Sequence, residues 1–356
     1  NFDADALLGR KEARRTSRAT QFAIAAANEA LTDAKLTITD ENRDRIGVVV
    51  GSGMGSLDPV VDNLHALTER GVGRISPFFV PMMLADTPAA MISIRFGLRG
   101  PNMSVATACA TANNAIGEAA VTILRGAAEI MVAGGTEASI LPISIGGFNQ
   151  MGALSIRNDE PEAASRPFSL DRDGFVAGEG AGILILEERD HAIARGATIY
   201  GELLGYGASA DAYHISTPSP DGEGAVRAMR CALQDAGLRP DQIDYINAHG
   251  TGTKFNDVGE TAAIKTVFGD FAYRLPISST KFMHGHLMGA AGALEAILCL
   301  KSMETGIIPP TINYEVPDPD CDLDYVPNVR RETAVCTTMS SGFGFGGHNA
   351  VLIFGK

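Results

Sequence analysis

The stretch "MSVATACATANNAIGEAAVTIL" (residues 103–124) joins a short apolar run to a run of small residues, and its one cysteine stands at the join. After Cys109, small or apolar residues recur at helical spacing, at positions 112, 115, 116, 119, 120, 123 and 124, and Gly126 is a helix-stop signal. This spacing predicts a short strand followed by a buried helix. The cysteine is either a small core residue or a nucleophile at a helix N-terminus, and the stretch alone leaves both open.

A second stretch of the same design lies further along the chain. "LPISSTKFMHGHLMGAAGALEAILCLKSME" (residues 275–304) runs from a short strand through a polar loop into a small-residue helix. Buried strands and alanine-rich helices alternate around both units, which predicts an α/β fold with an internal duplication. Further strands are predicted in "RIGVVVGSGMG", "EIMVAGG", "AGILILEE", "IYGELLGYGAS" and "QIDYINAHGTGT". We predict an N-terminal half over residues 1–195 and a C-terminal half over residues 196–356.

Composition and charge disfavour several classes of protein. The 356 residues carry a formal net charge of −13, so we expect no nucleic-acid partner. No apolar run reaches the roughly 20 residues that span a bilayer, so we expect no membrane insertion. The five cysteines are scattered and form no CxxC pair, which argues against disulfides and structural zinc and favours a reducing cytoplasm.

One basic segment interrupts this acidic chain. "GRKEARRTSR" (residues 9–18) places five Lys and Arg residues close together. Such a segment is either a solvated helix face or a landing patch for an acidic partner, and on its own the sequence favours the solvated face.

Three further segments could carry chemistry. His249 follows an apolar strand and precedes "GTGT", where the backbone can turn sharply and approach a ligand. His286 opens a Gly- and Ala-rich helix, a position that favours neutral imidazole, and Lys281 lies in the same loop. "SSGFGFGGHNAVLIF" (residues 340–354) is either a tight hairpin or a source of oxyanion-hole N–H groups beside a mobile phenylalanine. No P-loop, dinucleotide fingerprint, GxSxG elbow or zinc-ligand spacing competes with these segments.

Taken together and in order, "TACAT", "NAHGTGT", "STKxxxGHxxGAAG" and "GFGFGGHN" resemble the β-ketoacyl-[acyl-carrier-protein] synthases. The resemblance is nearest to the elongating condensing enzymes, synthase II, of type II fatty acid synthesis. It implies a thiolase-like fold, with two pseudo-duplicated βαβαβαββ halves in a five-layer α-β-α-β-α arrangement. It also implies acyl transfer to a cysteine, then decarboxylative Claisen condensation with malonyl-carrier protein, which extends the chain by two carbons. No metal or redox cofactor is implied, and the expected partners are acyl carrier protein, which carries the substrates on phosphopantetheine, and a second copy in a homodimer.

The resemblance also implies roles for individual residues. Cys109 would be the nucleophile, with a thiol pKa that we expect the helix N-terminus to lower. His249 and His286 would be the two catalytic histidines, with Lys281 supporting the His286 side. The backbone N–H groups of Cys109 and Phe345 would form the oxyanion hole, and Phe345 would also act as the gate between the two half-reactions.

Other matching positions have supporting roles in the same family. Glu295 would belong to the Lys281 network, and Thr251 and Thr253 would bind the phosphopantetheine arm. The positions near the acyl pocket are Met54, Phe78, Phe79 and Phe148. The positions that would dock the acidic carrier protein are Lys11, Arg14, Arg15 and Arg74, which makes the basic segment a predicted interface.

Departures from the family pattern leave some points open. Ala112 stands where relatives commonly have Gly, Lys254 stands where Pro is usual, and His284 is unusual beside the GH pair. The chain also begins after the place where the family's first strand would lie, so we expect the first half to lack one strand.

Four rival functions are weighed against the elongating synthase. A non-catalytic chain-length-factor-like subunit normally lacks the nucleophile, a thiolase needs a second cysteine near the last Gly-rich loop, and a starter-unit synthase typically has Asn at the position of His286. A polyketide ketosynthase stays compatible with every motif. The sequence predicts no acyl chain length.

Overall fold

The structure is a computed structural model that describes residues 2–356. Within these residues the strands form a four-stranded sheet of order β2-β1-β3-β4, a five-stranded sheet of order β5-β11-β10-β6-β7 and a small β8-β9 pair. The strands are β1 (Ile46–Gly51), β2 (Asn102–Met103), β3 (Ile130–Glu137), β4 (Gly180–Glu187), β5 (Glu202–Ala210), β6 (Tyr245–Asn247), β7 (Ile277–Ser278), β8 (Ile307–Ile308), β9 (Arg331–Glu332), β10 (Thr337–Gly344) and β11 (His348–Gly355).

Helices cover both faces of each large sheet. They are α1 (Ala4–Leu8), α2 (Arg10–Ala13), α3 (Arg18–Asp33), α4 (Asp58–Arg70), α5 (Phe79–Met83), α6 (Thr87–Phe96), α7 (Thr111–Leu124), α8 (Pro142–Gln150), α9 (Arg189–Ala194), α10 (Glu223–Ala236), α11 (Lys254–Phe268), α12 (Lys281–His284) and α13 (Ala291–Thr305). No helix in the described part of the chain is long and apolar enough to cross a membrane.

The layers follow from which helices touch which sheet. Helices α3 and α6 pack on the outer face of the first sheet, and α10 packs on the outer face of the second with α11 beside it. Helices α7 and α13 lie between the sheets, in contact with strands of both. Their small residues permit this, because Ala112, Ala115, Ala119, Ala293 and Ala296 are fully buried in one core between the sheets. The predicted five-layer α/β arrangement is confirmed.

The two sheets have the same strand order, which confirms the internal duplication. Reading from the parallel edge, β2-β1-β3-β4 corresponds to β7-β6-β10-β11, and in both sheets the last pair is antiparallel. The second sheet continues with β5, antiparallel to β11, and no strand of residues 2–356 occupies the matching place beside β4.

The strand before the cysteine is shorter than the sequence predicts. "MSVATA" reads as a strand, but pairing with β1 is confined to Asn102 and Met103. From Ser104 onward the chain leaves the sheet, because it must turn into α7 through Ala108, whose φ of +49° is left-handed. The helix itself ends as predicted, since Leu124 is its last residue and Gly126 follows with a positive φ.

Candidate active site

A strained turn carries Cys109 between β2 and α7. Ala108 has a φ of +49°, a conformation that non-glycine residues hold only when their surroundings impose it. The surroundings here include Thr111, whose hydroxyl accepts the Thr107 N–H at 2.9 Å and donates to the Ala108 carbonyl at 2.7 Å. Residues 108–110 form a single 3₁₀ turn before the α-helix begins. We call this segment, residues 107–111, the nucleophile turn.

The Gly-rich hairpin between β10 and β11 rests directly on the nucleophile turn. A Cβ at Gly344 would lie 2.5 Å from the Thr107 carbonyl oxygen and 3.1 Å from the Cys109 backbone nitrogen, so only glycine allows this approach. The backbone N–H of Phe345 then lies near enough to the Cys109 thiol to act against the rise of its pKa. The two backbone groups predicted for the oxyanion hole, those of Cys109 and Phe345, are therefore brought together.

The acidity of the thiol differs from the expectation. Cys109 is half-buried as a residue, but its sulfur faces the interior, and burial raises the pKa of the thiol to about 12. The charge of Lys281 and the Phe345 N–H act in the opposite direction without overcoming the burial. The predicted lowering by the helix start is wrong, because loss of hydration outweighs the partial charge of one turn of backbone. The resting thiol is protonated at neutral pH.

The two predicted catalytic histidines lie side by side at the end of the second sheet. The rings of His249 and His286 are 5.4 Å apart between centroids and nearly perpendicular, at 83°. Both side chains are buried, and burial, then the nearby Lys281 charge, lowers the pKa of each well below its ordinary value. Both rings are therefore neutral, as predicted for hydrogen-bond donors. The Nδ1 atom of each ring finds no hydrogen-bond partner within residues 2–356.

Backbone contacts fix each histidine in place. Glu260 on α11 accepts the N–H groups of His249 and Gly250, each at 2.8 Å. His286 exchanges two hydrogen bonds with the segment after Gly174, from its N–H to the Val176 carbonyl at 2.7 Å and from the Gly178 N–H to its own carbonyl at 2.9 Å.

Lys281 and Glu295 form a buried ion pair beside the histidines. Both side chains are 1% exposed, which leaves each charge dependent on the other. Burial raises the pKa of Glu295 while the Lys281 charge lowers it, which shows how strongly the carboxylate depends on this partner. The pairing agrees with the predicted network.

His284 lies near this pair but is engaged elsewhere. Its Nδ1 is 2.7 Å from the Gly285 carbonyl and its Nε2 is 3.3 Å from the Thr280 hydroxyl. Burial, then the Lys281 charge, lowers its pKa to about 4. Ala112, the other departure in this region, is fully buried, and its Cβ would lie 3.0 Å from a Cβ added to Gly135.

Aromatic rings that the sequence analysis missed connect the histidines to the predicted acyl pocket. Phe175 makes edge contacts with His286, at 5.3 Å between centroids, and with Phe148, at 5.4 Å. Phe343 makes a similar contact with His249 at 5.6 Å. Phe343 stands in "GFGFGGHN", quoted for the resemblance, but only the fold shows that its ring and that of Phe175 face the imidazoles.

The predicted phosphopantetheine residues lie next to an open groove. Thr251 and Thr253 are joined through their hydroxyls at 2.9 Å. Lys254 and Phe255 follow them and line a groove of about 590 Å³, together with Tyr213, Asp221 and Asp318. Lys254 therefore lies at the surface of the groove beside the two threonines.

The predicted docking residues all lie at the surface. Lys11, Arg14, Arg15 and Arg74 are exposed, and within residues 2–356 none of them has an ion-pair partner. The Arg15 guanidinium lies 4.6 Å above the centre of the Phe78 ring, which joins the first three residues to the segment that holds Arg74. Phe78, predicted for the acyl pocket, thus also supports this face.

Two family models match this chain, one in each half of the sequence. Residues 1–192 match the family described as "Beta-ketoacyl synthase, N-terminal domain", and residues 200–315 match "Beta-ketoacyl synthase, C-terminal domain".

Two curated relatives share about half of their residues with this chain. Both are named 3-oxoacyl-[acyl-carrier-protein] synthase 2. The protein from Synechocystis sp. is 52% identical over 356 residues, which is 100% of this chain and 86% of the relative. The protein from Staphylococcus aureus strain N315 is 50% identical over the same length, with the same coverage of 100% and 86%.

Solved structures extend the similarity to the fold. The ishigamide ketosynthase/chain length factor matches with a TM-score of 0.93 and 38% identity, covering 100% of this chain and 86% of that one. A type II PKS acyl-carrier protein in complex with its ketosynthase bound to the hexaketide matches with a TM-score of 0.91 and 38% identity, covering 95% and 84%. A β-ketoacyl synthase from Burkholderia phymatum matches with a TM-score of 0.93 and 38% identity, covering 100% and 86%.

Proposed function

This chain belongs to the β-ketoacyl synthase family and is a condensing acyltransferase, and we propose from that premise how its residues divide the reaction. The function is that of a 3-oxoacyl-[acyl-carrier-protein] synthase, which extends an acyl chain by two carbons in fatty acid biosynthesis. One observation carries the assignment of residues: two neutral, buried imidazoles lie together, and the Lys281 charge that lowers their pKa values also acts on the Cys109 thiol.

In the first half-reaction the Cys109 sulfur attacks the carbonyl carbon of an acyl thioester. The new carbon–sulfur bond forms as the bond to the phosphopantetheine sulfur breaks, and the thiol proton ends on the departing sulfur. The negative oxygen of the tetrahedral intermediate is held by the N–H groups of Cys109 and Phe345. Each such donor contributes about 2.7–4 kcal/mol in comparable oxyanion holes.

In the second half-reaction a malonyl thioester loses CO₂. The electron pair of the broken carbon–carbon bond forms an enolate, whose oxygen accepts N–H groups from His249 and His286. The enolate carbon attacks the acyl carbonyl on Cys109, and the released thiolate takes a proton from solvent. A neutral imidazole donates one N–H, which can face the substrate, and burial beside Lys281 holds both rings in the neutral state. We propose that this chemistry needs no metal or redox cofactor.

The proposed partner is acyl carrier protein, docked on Lys11, Arg14, Arg15 and Arg74. A similar ketosynthase is known in complex with an acyl-carrier protein. Unpaired basic side chains on an otherwise acidic protein are suited to an acidic partner.

We also propose a homodimer and a cytoplasmic location. Exposed apolar side chains at the start of α8, Ile140 and Ile143, support a dimer because a monomer would leave them in water. All five cysteines are free, which suits a reducing compartment.

A polyketide ketosynthase is the second candidate. Its support is that two of the similar solved structures, at 38% identity, are ketosynthases of a type II PKS and of the ishigamide ketosynthase/chain length factor pair. Fatty acid elongation is favoured because two relatives named 3-oxoacyl-[acyl-carrier-protein] synthase 2 are 50–52% identical to this chain over its whole length.

Mass spectrometry of both half-reactions tests the proposal. Carrier protein loaded with an acyl group should transfer that group to Cys109. Carrier protein loaded with malonate should then convert the bound acyl group into a 3-oxoacyl product that is two carbons longer. Successive unreduced extensions would instead identify a polyketide ketosynthase. An enzyme that takes up no acyl group would contradict both assignments.

A further inference from the structure

Glu137 ends β3, and its fully buried carboxylate gathers backbone groups from both halves of the chain. Oε2 accepts the N–H groups of Gly53 and Gly289, both at 2.9 Å. Oε1 accepts the Ser52 hydroxyl at 2.8 Å and the Met54 N–H at 3.4 Å. One side chain therefore holds the turn after β1 and the turn before α13 at the same point.

The same junction touches the nucleophile turn. A Cβ at Gly53 would lie 2.9 Å from the Ala108 carbonyl oxygen and 2.9 Å from the Glu137 carboxylate. A Cβ at Gly289 would overlap the Gly53 backbone nitrogen. Three backbone segments thus meet without room for side chains, and the shared carboxylate of Glu137 fixes their register.

We propose that Glu137 is a positioning residue that sets acyl-chain selectivity by holding the Met54 turn and the Gly289 turn against the nucleophile turn. This inference rests on the proposed function, in which Cys109 carries the acyl group, and on the position near the acyl pocket that the family resemblance predicts for Met54. The hydrogen bonds of this turn to Glu137 keep Met54 in place, so that Met54 resists displacement by a longer acyl chain. If the Met54 turn loses its hydrogen bonds to Glu137, a long acyl chain can displace Met54 without breaking them. The selectivity of acyl transfer then shifts toward long chains.

The chemistry of the four partners explains why a carboxylate is used. All four groups donate hydrogen bonds to Glu137, and its two carboxyl oxygens accept them, although burial still raises the pKa of this carboxyl to about 7. A glutamine has the same shape but brings an NH₂ group. That group can face only the Ser52 hydroxyl, which can turn to accept, and the Met54 N–H then loses its partner.

The test uses Glu137→Gln and Ser52→Ala, with Glu187→Gln as the matched control. Glu187 lies at the end of β4, and its partly buried carboxylate binds Arg195 and His191 instead of the site. For each variant, kcat and KM of acyl transfer to Cys109 are measured with short-chain and long-chain acyl-carrier protein, alongside the melting temperature.

We expect Glu137→Gln to raise the long-to-short ratio of kcat/KM about tenfold, a change typical of altered fit in an apolar pocket. Ser52→Ala should shift the ratio in the same direction by less, and Glu187→Gln should leave it unchanged. A Glu137 variant that lowers the melting temperature and slows all chain lengths equally would overturn the inference.

Two further outcomes are also decisive. If Glu137→Gln does not fold, Ser52→Ala decides the question alone, because it removes one of the four hydrogen bonds to Glu137 together with the bond that the Ser52 hydroxyl accepts from the Gly55 N–H at 3.0 Å. A wild-type protein that takes up no acyl group at Cys109 would overturn the proposed function, and this inference with it.

Discussion

The turn before α7 and the turn before α13 have the same backbone but different chemistry. Each begins with a left-handed residue, Ala108 with φ +49° and Met288 with φ +46°, and continues as a 3₁₀ turn into a helix between the sheets. Cys109 in the first turn corresponds to Gly289 in the second. The strained turn is thus a property of the duplicated unit and is not by itself a mark of catalysis.

What differs is the group that each turn meets. The first turn carries a thiol near the hairpin N–H of Phe345, whereas the second donates the Gly289 N–H to the buried carboxylate of Glu137. The second half supplies its reactive groups from loops nearby, where Glu260 holds His249 and strand-like pairing holds His286. We therefore expect the first turn to govern acyl transfer and the imidazole pair to govern decarboxylation.

The largest effect should come from the thiol itself. Cys109→Ala should abolish acyl-enzyme formation and lower the overall condensation rate by about 10⁴-fold or more, because it removes the proposed nucleophile that carries the acyl chain. Intact-protein mass after exposure to acyl-carrier protein checks this. Cys231→Ala, at an exposed cysteine, is the control. A Cys109→Ala protein that still gains the acyl mass would disprove the assignment.

Removing one imidazole should slow the second half-reaction and leave the first intact. His286→Ala should still form the acyl-enzyme but should lower malonyl decarboxylation by about 10²–10³-fold, as loss of one oxyanion donor does elsewhere. Single-turnover acyl transfer and CO₂ release are measured separately. Equal losses in both steps would show that the division between the halves is wrong.

The buried ion pair should affect stability next. Lys281→Met leaves the Glu295 carboxylate buried without its partner, which should lower the free energy of unfolding by about 3–5 kcal/mol. Lys281→Met with Glu295→Gln should recover part of this loss because no charge is then buried. Chemical denaturation of the wild type, the single variant and the double variant measures both changes. A double variant no more stable than the single variant would count against coupling between Lys281 and Glu295.

The carboxylate that holds His249 should make stability depend on pH. Burial raises the pKa of Glu260 from 4.5 to about 7, so the folded state binds its proton more tightly than the unfolded chain does. Its contribution to stability is therefore lost as pH rises from about 4.5 to about 7, by up to about 3 kcal/mol. Glu260→Gln should remove this part of the pH dependence, as measured by denaturation across that range. If the stability of the wild type and of Glu260→Gln changed equally with pH, the raised pKa of Glu260 would be contradicted.

The smallest effect should come from the docking face, which lies outside both turns. Reversing the charge of Lys11, Arg14 and Arg15 to Glu should raise KM for carrier protein about tenfold, weaken its salt dependence and leave kcat unchanged. The matched control reverses three exposed basic residues elsewhere, Lys35, Arg125 and Arg239. An equal rise in KM in the control would point to net charge instead of a defined docking face.

Much of the site could be predicted because its signals are local in the sequence. Cys109, His249, Lys281 and His286 each stand where an apolar strand gives way to a Gly- or Ala-rich segment, and that pattern is readable without a fold. The thiol pKa was predicted in the wrong direction, because burial depends on what packs over the sulfur, here the hairpin that lies more than two hundred positions later in the chain.

The sequence by itself determined the alternation of buried strands and small-residue helices, the duplication and the order of the reactive residues. Only the tertiary structure decided which buried carboxylates matter. Glu137 and Glu260 look like ordinary acidic residues along the chain, and each becomes an anchor because distant backbone N–H groups converge on it. The same is true of Gly289, whose equivalence to Cys109 follows from a shared backbone conformation that residue identity does not reveal. Local periodicity determines which segments form strands and helices. The burial of a side chain, and the backbone N–H groups that meet at it, depend on how those strands and helices pack.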